Sequence, residues 1–412
     1  MPEATPIPPR NPPAPPRGSV AEVFSVFLKL GLTSFGGPVA HLGYFRAELV
    51  EKRGWLDDRA YADLVALCQF LPGPASSQTG FALGLMRAGW LGALAAFAAF
   101  TLPSALVMVA LALGAARIAG PVGSGAIHGL KIVAVAIVAQ AVWGMARSLT
   151  PDRERALIAL AAVAMIAFAP GAWGMIGAIL LGGALGYMRG PFGEPMPPEA
   201  GRMALAFPVS RRAGLGALAG FGALLLALPL LAPLAQGWAL FDAFYRAGAL
   251  VFGGGHVVLP LLQAETVARG WITPESFLAG YGAAQAMPGP LFTFAAYLGA
   301  ALVPAPHGIA GAAIALVAVF LPGFLLLTAA LPFWQDLRRT PAAQAVMQGA
   351  NAAVVGILGA ALYTPVATSA LGDLRDFALA LACFLLLVQW KAAPWVVVLV
   401  GAGGGILLGL PA

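Results

Sequence analysis

The sequence predicts an all-α polytopic membrane protein made of two homologous repeats, each with a helix interrupted at Pro-Gly-Pro. Three observations carry that expectation. First, the chain of 412 residues is 60% hydrophobic and only 10% charged, where a soluble domain carries roughly 25% charged residues. Second, apolar runs such as 89–116 and 214–234 reach the ~20 residues a helix needs to cross a bilayer. They are rich in Ala, Gly and Leu without strand alternation, which argues against a β-barrel. Third, the two halves match in order, spacing and rare residue types over about 120 residues, the signature of an internal duplication.

Taken in order, residues 1–19 are Pro-rich and hold no apolar run of the signal-peptide kind. They read as a disordered cytoplasmic tail, with helix starting near Val20. Repeat 1 is expected over 20–190, a polar loop over 191–212, a linking transmembrane helix over 213–237 and repeat 2 over 238–412. Thirteen spans fall near 20–42, 59–87, 89–116, 123–146, 155–169, 172–188, 213–235, 238–260, 274–302, 308–334, 342–364, 376–390 and 394–410.

The duplication is read from specific residues. Phe35-Gly36-Gly37 lies over Phe252-Gly253-Gly254, Glu48 over Glu265, and Gly54-Trp55 over Gly270-Trp271. Gln69 with Pro72-Gly73-Pro74 lies over Gln285 with Pro288-Gly289-Pro290. Leu102-Pro103 matches Leu321-Pro322, and the helix of Gly129 matches that of Gly349. Proline removes a backbone donor and clashes with the preceding turn, so each Pro-Gly-Pro ends one half-helix and starts another. Paired interruptions of this kind point to the substrate site of repeat-built transporters. A packing kink is the plainer reading.

With each Pro-Gly-Pro segment counted as one broken span, fourteen basic residues, from Arg10 to Lys391, share the N-terminal side. Six, from Arg46 to Arg375, fall on the other. The excess puts the N-terminus in the cytoplasm and makes the repeats inverted. Counting each segment as a re-entrant hairpin changes the parity and makes the repeats parallel. Inversion is preferred because interrupted helices in inverted repeats are a recurrent carrier design.

With these elements aligned, the chain resembles the chromate ion transporter family in its long two-domain form, over nearly all of 20–412. The residues that carry the resemblance are Phe35-Gly36-Gly37-Pro38, Gly54-Trp55, Gln69 to Pro74 and their second-half partners. The resemblance implies export of chromate from the bacterial cytoplasm across the plasma membrane, driven by the proton or membrane potential, and chromate resistance. Some members of the family are tied to sulfate. The halves are not strict duplicates: Pro38 faces Gly255, and Ser76-Ser77-Gln78-Thr79 faces Phe292-Thr293-Phe294-Ala295.

An oxyanion needs hydrogen-bond donors and positive potential, which helix N-termini supply. The candidate substrate site therefore takes Gln69, Pro72, Gly73, Pro74, Ser76, Ser77 and Thr79 from repeat 1, and Gln285, Pro288, Gly289, Pro290 and Thr293 from repeat 2. The hydroxyls also suit plain helix caps. Lys29 and Arg246, at matched positions inside a span, either draw the anion or snorkel to an interface. Lys131 is read as snorkelling. Gly36, Gly37, Gly253 and Gly254 allow close approach or unwinding, or serve helix packing. His41 and His256 are candidates for proton coupling. Glu48 and Glu265 suit structural ion pairs with Arg46 or Arg269, and the acids at 57–63 suit a helix start.

Cys68 and Cys383 form no CxxC pair and read as inert buried thiols. No HExxH, GxSxG or Walker pattern is present, so neither an enzyme nor an ATP-driven pump is expected. No cofactor, metal or nucleic-acid partner is expected beside the small anion and the bilayer. Homo-oligomerisation is left open.

Overall fold

The computed structural model describes residues 18–115, 120–169, 171–190, 207–252, 255–337 and 340–409. The expected tail before Gly18, the segment 191–206 of the expected loop, and Gly253 and Gly254 lie outside the described residues. All regular structure among the described residues is helical. Polar caps start the helices where the sequence supplies them. Asp57 accepts from the Ala60 N–H at 2.7 Å, and Thr273 from the Ser276 N–H at 3.2 Å.

Each repeat opens with two hairpins. In repeat 1, Val20–Thr33 runs in, the chain turns at 34–36, and Gly37–Phe45 with Arg46–Lys52 runs back. Phe27 packs on Phe45 at 5.5 Å and Lys29 reaches Glu48, which only a return path permits. The second hairpin pairs Asp58–Phe70 with residues 75–87, and Pro72-Gly73-Pro74 is its tip. Its open ends meet where the Arg87 guanidinium stacks on Trp55 at 5.2 Å. The backbone then reverses at Ala88 and Gly89, so that Gly84 lies against the backbone of Gly92.

Repeat 2 repeats this plan. Arg246 on Gln236–Ala249 reaches Glu265 on Val258–Thr266 at 3.6 Å. Pro274–Ala284 pairs with Leu291–Ala301 around the Pro288-Gly289-Pro290 tip. Tyr281 packs on Phe294 at 5.7 Å, and the Val303 N–H donates to the Trp271 carbonyl at 2.9 Å across the open ends. We call these the glycine hairpin and the proline hairpin of each repeat.

These contacts correct the span count. Residues 20–42, 59–87, 238–260 and 274–302 do not each cross once; all four segments double back. Arg46, Lys52, Arg53 and Arg59 therefore return to the same end of the molecule as residue 18, and Arg269 returns to the end where repeat 2 begins. The interruptions fall at Pro-Gly-Pro as the sequence indicates, but as hairpin tips.

Each proline hairpin leads into a crossing helix, 89–115 in repeat 1 and Gly308–Ala330 in repeat 2. These two pack antiparallel. Phe97 meets both Phe320 and Phe324 at 5.0 Å, while Ala105 clusters with Ala296 and Ala312. Pro103 and Pro322 sit inside these helices at matched positions.

Arg211–Leu231 packs on Gly308–Ala330 and Gln236–Ala249, and the other long helices are exchanged between repeats. Pro121–Leu149 of repeat 1 packs on Leu374–Val388 and Pro394–Gly409 of repeat 2. Pro341–Ala361 of repeat 2 packs on Arg153–Phe168 and Ala172–Arg189 of repeat 1. The matched glycines sit in these two interfaces, Gly129 against the Gly401 carbonyl and Gly349 against the Gly182 carbonyl. Such close backbone approach is how apolar helices associate where water supplies no driving force. Among the described residues, five helices are long and apolar enough to cross a membrane, and the molecule is a multi-pass membrane protein.

A β-carbon at Gly129 would lie 2.1 Å from the Gly401 oxygen, and one at Gly349 2.1 Å from that of Gly182. Gly129→Val and Gly349→Val are each expected to destabilise the folded protein by about 1–3 kcal/mol through overpacking. Gly144→Ala, where the space is open, should be neutral or slightly stabilising. Thermal unfolding in detergent measures all three.

Candidate functional site

The four hairpin tips converge, and backbone hydrogen bonds tie them together. The Gly73 N–H donates to the Val251 carbonyl at 2.7 Å, and the Gly289 N–H donates to the Ser34 carbonyl at 2.9 Å. Ser34 and Val251 are the matched residues that precede Phe35-Gly36-Gly37 and Phe252. Each proline tip is thus bound by the glycine tip of the other repeat. Gly73 and Gly289 have φ of 122° and 91°, where side chains are strained. Pro38 and Gly255, at matched positions of the two repeats, touch across the junction: a β-carbon on Gly255 would lie 3.1 Å from Pro38 Cγ.

Polar side chains gather here from repeat 1. His41 is buried on the glycine hairpin, its Nδ1 3.4 Å from Ser76 Oγ and its ring 5.4 Å from Phe100. It also lies beside the Ser34 backbone. A β-carbon at Gly289 would lie 2.9 Å from Ser104 Oγ and 3.0 Å from the Phe100 carbonyl. Gln78 Nε2 donates to Pro72 O at 3.0 Å and to Gly323 O at 2.9 Å, bridging tip and crossing helix. Ser34 Oγ, Ser77 Oγ, Gln78 Oε1 and Thr101 Oγ1 are buried with no hydrogen-bond partner among the described residues. Native proteins rarely leave buried polar atoms unmatched, so a group of them marks where a polar guest or water belongs.

The equivalent positions of repeat 2 are apolar or satisfied. Val251 stands for Ser34, Val258 for His41, Phe292 for Ser76 and Phe320 for Thr101. Thr293 Oγ1 already donates to Pro290 O at 2.9 Å. The site is therefore lopsided, with donors on one repeat and an aromatic wall on the other.

Several expected residues do other work. Lys29 donates to Glu48 at 2.9 Å, and Arg246 to Asp242 at 2.5 Å. Each is held within its own glycine hairpin, so neither snorkels freely. Glu48 takes Lys29 and Arg53 in place of Arg46, which pairs with Glu51 and Asp58; Glu265 does pair with Arg269. Lys131 donates to the Ser369 carbonyl at 3.4 Å, across the exchanged interface. Thr79 Oγ1 back-bonds to Ala75 O at 2.8 Å. Gln69 is exposed on its limb, whereas Gln285 keeps a buried Nε2 without a partner among the described residues. His256 meets the Tyr281 hydroxyl at 2.7 Å. Gly36 and Gly37 form the first tip with φ of 102° and 79°; Gly253 and Gly254 lie outside the described residues. Both cysteines are free and buried.

Ser34, Thr101 and Ser104 escape the sequence reading. Their signal was available: Ser34 precedes Phe-Gly-Gly, and Thr101 and Ser104 flank the matched Leu102-Pro103.

Paired repeats whose interrupted helices meet tip to tip around unpartnered polar groups define a membrane transporter of the discontinuous-helix kind. A family model described as chromate transporter matches residues 21–187 and 238–406, and the chain belongs to that family. It is 30% identical to the chromate transport protein of Pseudomonas aeruginosa, over 84% of this chain and 81% of the relative. It is 28% identical to the chromate transport protein of Cupriavidus metallidurans, over 96% and 94%. The probable chromate transport protein of Synechococcus elongatus is 28% identical over 95% and 96%. No solved structure matches the chain.

Removing an unpartnered buried hydroxyl relieves a desolvation penalty of about 1–3 kcal/mol. Ser77→Ala and Thr101→Val should therefore hold or raise the thermal midpoint while lowering anion flux per folded molecule. Loss of stability with unchanged specific flux would make these hydroxyls structural.

Proposed function

We propose that this protein carries chromate out of the bacterial cytoplasm across the inner membrane and so confers chromate resistance. The observation that carries this reading is the group of buried, unpartnered polar atoms at the junction of the hairpin tips. Tetrahedral oxyanions offer only acceptors to the protein, and Ser34, Ser77 and Thr101 offer hydroxyl donors there. The first turn after Pro74 adds backbone N–H groups and a partial positive charge. Family membership and the names of the relatives support chromate as the anion. Gly36, Gly37 and the two Pro-Gly-Pro tips shape the junction, and Lys29 and Arg246 contribute positive potential from below the tips without touching the anion.

The antiparallel crossing helices support an inverted arrangement of the repeats, with boundaries as read from the sequence. Helices 89–115, 121–149, 153–168, 172–189 and 211–231 lie between the hairpins of the two repeats. Five crossings carry the chain to the opposite face, where repeat 2 begins. Charge supports a cytoplasmic N-terminal face. Arg46, Lys52, Arg53, Arg59, Arg87, Arg147, Arg153, Arg155, Arg189, Arg211, Arg212 and Lys391 belong to it, against Arg269 and Arg375 on the other. Transport is driven by the proton or membrane potential.

Sulfate has the same charge and shape, and is the second reading. Flux of chromate and sulfate into proteoliposomes at a fixed proton gradient tests both. Chromate flux is expected to exceed sulfate flux; the reverse order would assign a sulfate carrier, and no flux of either would end the transport reading.

The orientation has its own check. In intact cells, a thiol introduced by Arg375→Cys should react with an impermeant reagent, and one introduced by Lys391→Cys should not. The opposite pattern would invert the assignment.

A further inference from the structure

The glycine hairpins share an ion pair, but repeat 2 adds a residue to it. Repeat 1 holds Lys29 on Glu48, and repeat 2 holds Arg246 near Glu265 at 3.6 Å. In repeat 2 a second carboxylate, Asp242, sits one turn before Arg246; repeat 1 has Ser25 at the matched position. The Asp242 side chain is 2% exposed. Its Oδ2 accepts from Arg246 at 2.5 Å, while its Oδ1 is buried with no hydrogen-bond partner among the described residues.

Two buried carboxylates thus compete for one guanidinium. Glu265 has a second partner in Arg269, whereas Asp242 pairs with Arg246 alone among the described residues. In repeat 1 the single acid Glu48 is ringed by Lys29, Lys52 and Arg53, whereas in repeat 2 Asp242 has a base on one oxygen only. A buried carboxylate oxygen without a donor is costly while charged. It is relieved when a proton converts the group to a neutral acid. The charged groups that face Asp242 are Arg246 on its own limb and Glu265 and Arg269 on the return limb. Tyr245 beside it donates to the Phe221 carbonyl at 3.0 Å. The helix packed against this limb, Gly308–Ala330, carries no ionisable residue, and Arg211–Leu231 carries only Arg211 and Arg212, at its far end.

Location adds the direction. Asp242 lies less than two turns into Gln236–Ala249, a limb that starts at the face opposite the N-terminus in the inverted arrangement proposed above. Arg269, stacked on Trp271 at 5.1 Å, marks that same face. His41 and His256, the sequence candidates for coupling, sit instead at the tips, where His41 meets Ser76 and keeps an unpartnered Nε2 and His256 meets Tyr281.

We propose that Asp242 is the proton-binding group that couples this transporter to the proton gradient. A proton from water at the opposite face forms an O–H bond on the Asp242 carboxylate, which loses its charge. Arg246 then turns its full charge to Glu265. The O–H bond breaks when the site returns, and the proton leaves to the other side. This rests on the transport reading above.

The test uses the full chain in proteoliposomes with chromate. Two fluxes are compared, accumulation driven by an imposed pH difference and chromate-for-chromate exchange at equal pH. Wild type should show both. Asp242→Asn, close in shape and unable to take up a proton, should lose the pH-driven accumulation and keep exchange. Asp242→Ser, the residue of repeat 1, should do the same and covers the case in which the amide fails to fold. pH-driven accumulation retained by either folded variant overturns the proposal. A reading on wild type needs no variant: a chromate gradient should move protons seen by a trapped pH dye, and chromate flux without proton movement also overturns it. No chromate or sulfate flux in wild type defeats the transport reading itself, which keeps the two failures apart.

Discussion

Two backbone hydrogen bonds hold the centre of this molecule, Gly73 N–H to Val251 and Gly289 N–H to Ser34. In hydrocarbon an unmatched backbone polar group costs several kcal/mol, so interrupted helices survive only where protein or a cavity receives them. Four interruptions in one chain would be untenable separately. Here each breaks beside another, and the groups freed at one tip are met by the next. The matched pairing also makes the repeats interdependent, because each proline tip needs the glycine tip of the other half.

The rest of the architecture is arranged around that junction. The crossing helices flank the tips, and their phenylalanines, Phe97, Phe320 and Phe324, fill the space between the two repeat cores. Phe81 stacks on Phe324 at 4.5 Å and joins the first repeat to the second. Helix exchange, through the contacts of Gly129 with Gly401 and Gly349 with Gly182, closes the periphery. A duplicated chain has thereby become one packed body, with a group of unpartnered polar atoms at the tips.

Symmetry of backbone does not bring symmetry of chemistry. Repeat 1 supplies Ser34, His41, Ser77 and Thr101, where repeat 2 has Val251, Val258, Thr293 and Phe320. Repeat 2 instead enriches its ion-pair network with Asp242. In the cycle proposed above, repeat 1 holds the anion and repeat 2 takes up the proton.

The sequence by itself determined the membrane setting, the duplication and the positions of the breaks. Those come from composition and from residues with fixed local physics: proline cannot continue a helix, glycine alone accepts the tip geometry, and Asp57 and Thr273 cap the helices that begin after them. The Glu265 pairing with Arg269 was legible too, one helical turn apart. Only the tertiary structure decided that the breaks are hairpin tips, since a half-helix has the same sequence whether its chain goes on or turns back. Contacts far apart in sequence, such as Arg87 on Trp55 and Val303 on Trp271, settle the path. The same reason hid Ser34, Thr101 and Ser104, which are ordinary small polar residues until folding leaves them buried around one point. It also set Lys29 and Arg246 into ion pairs, because the carboxylates Glu48 and Glu265 arrive beside them on the returning limb.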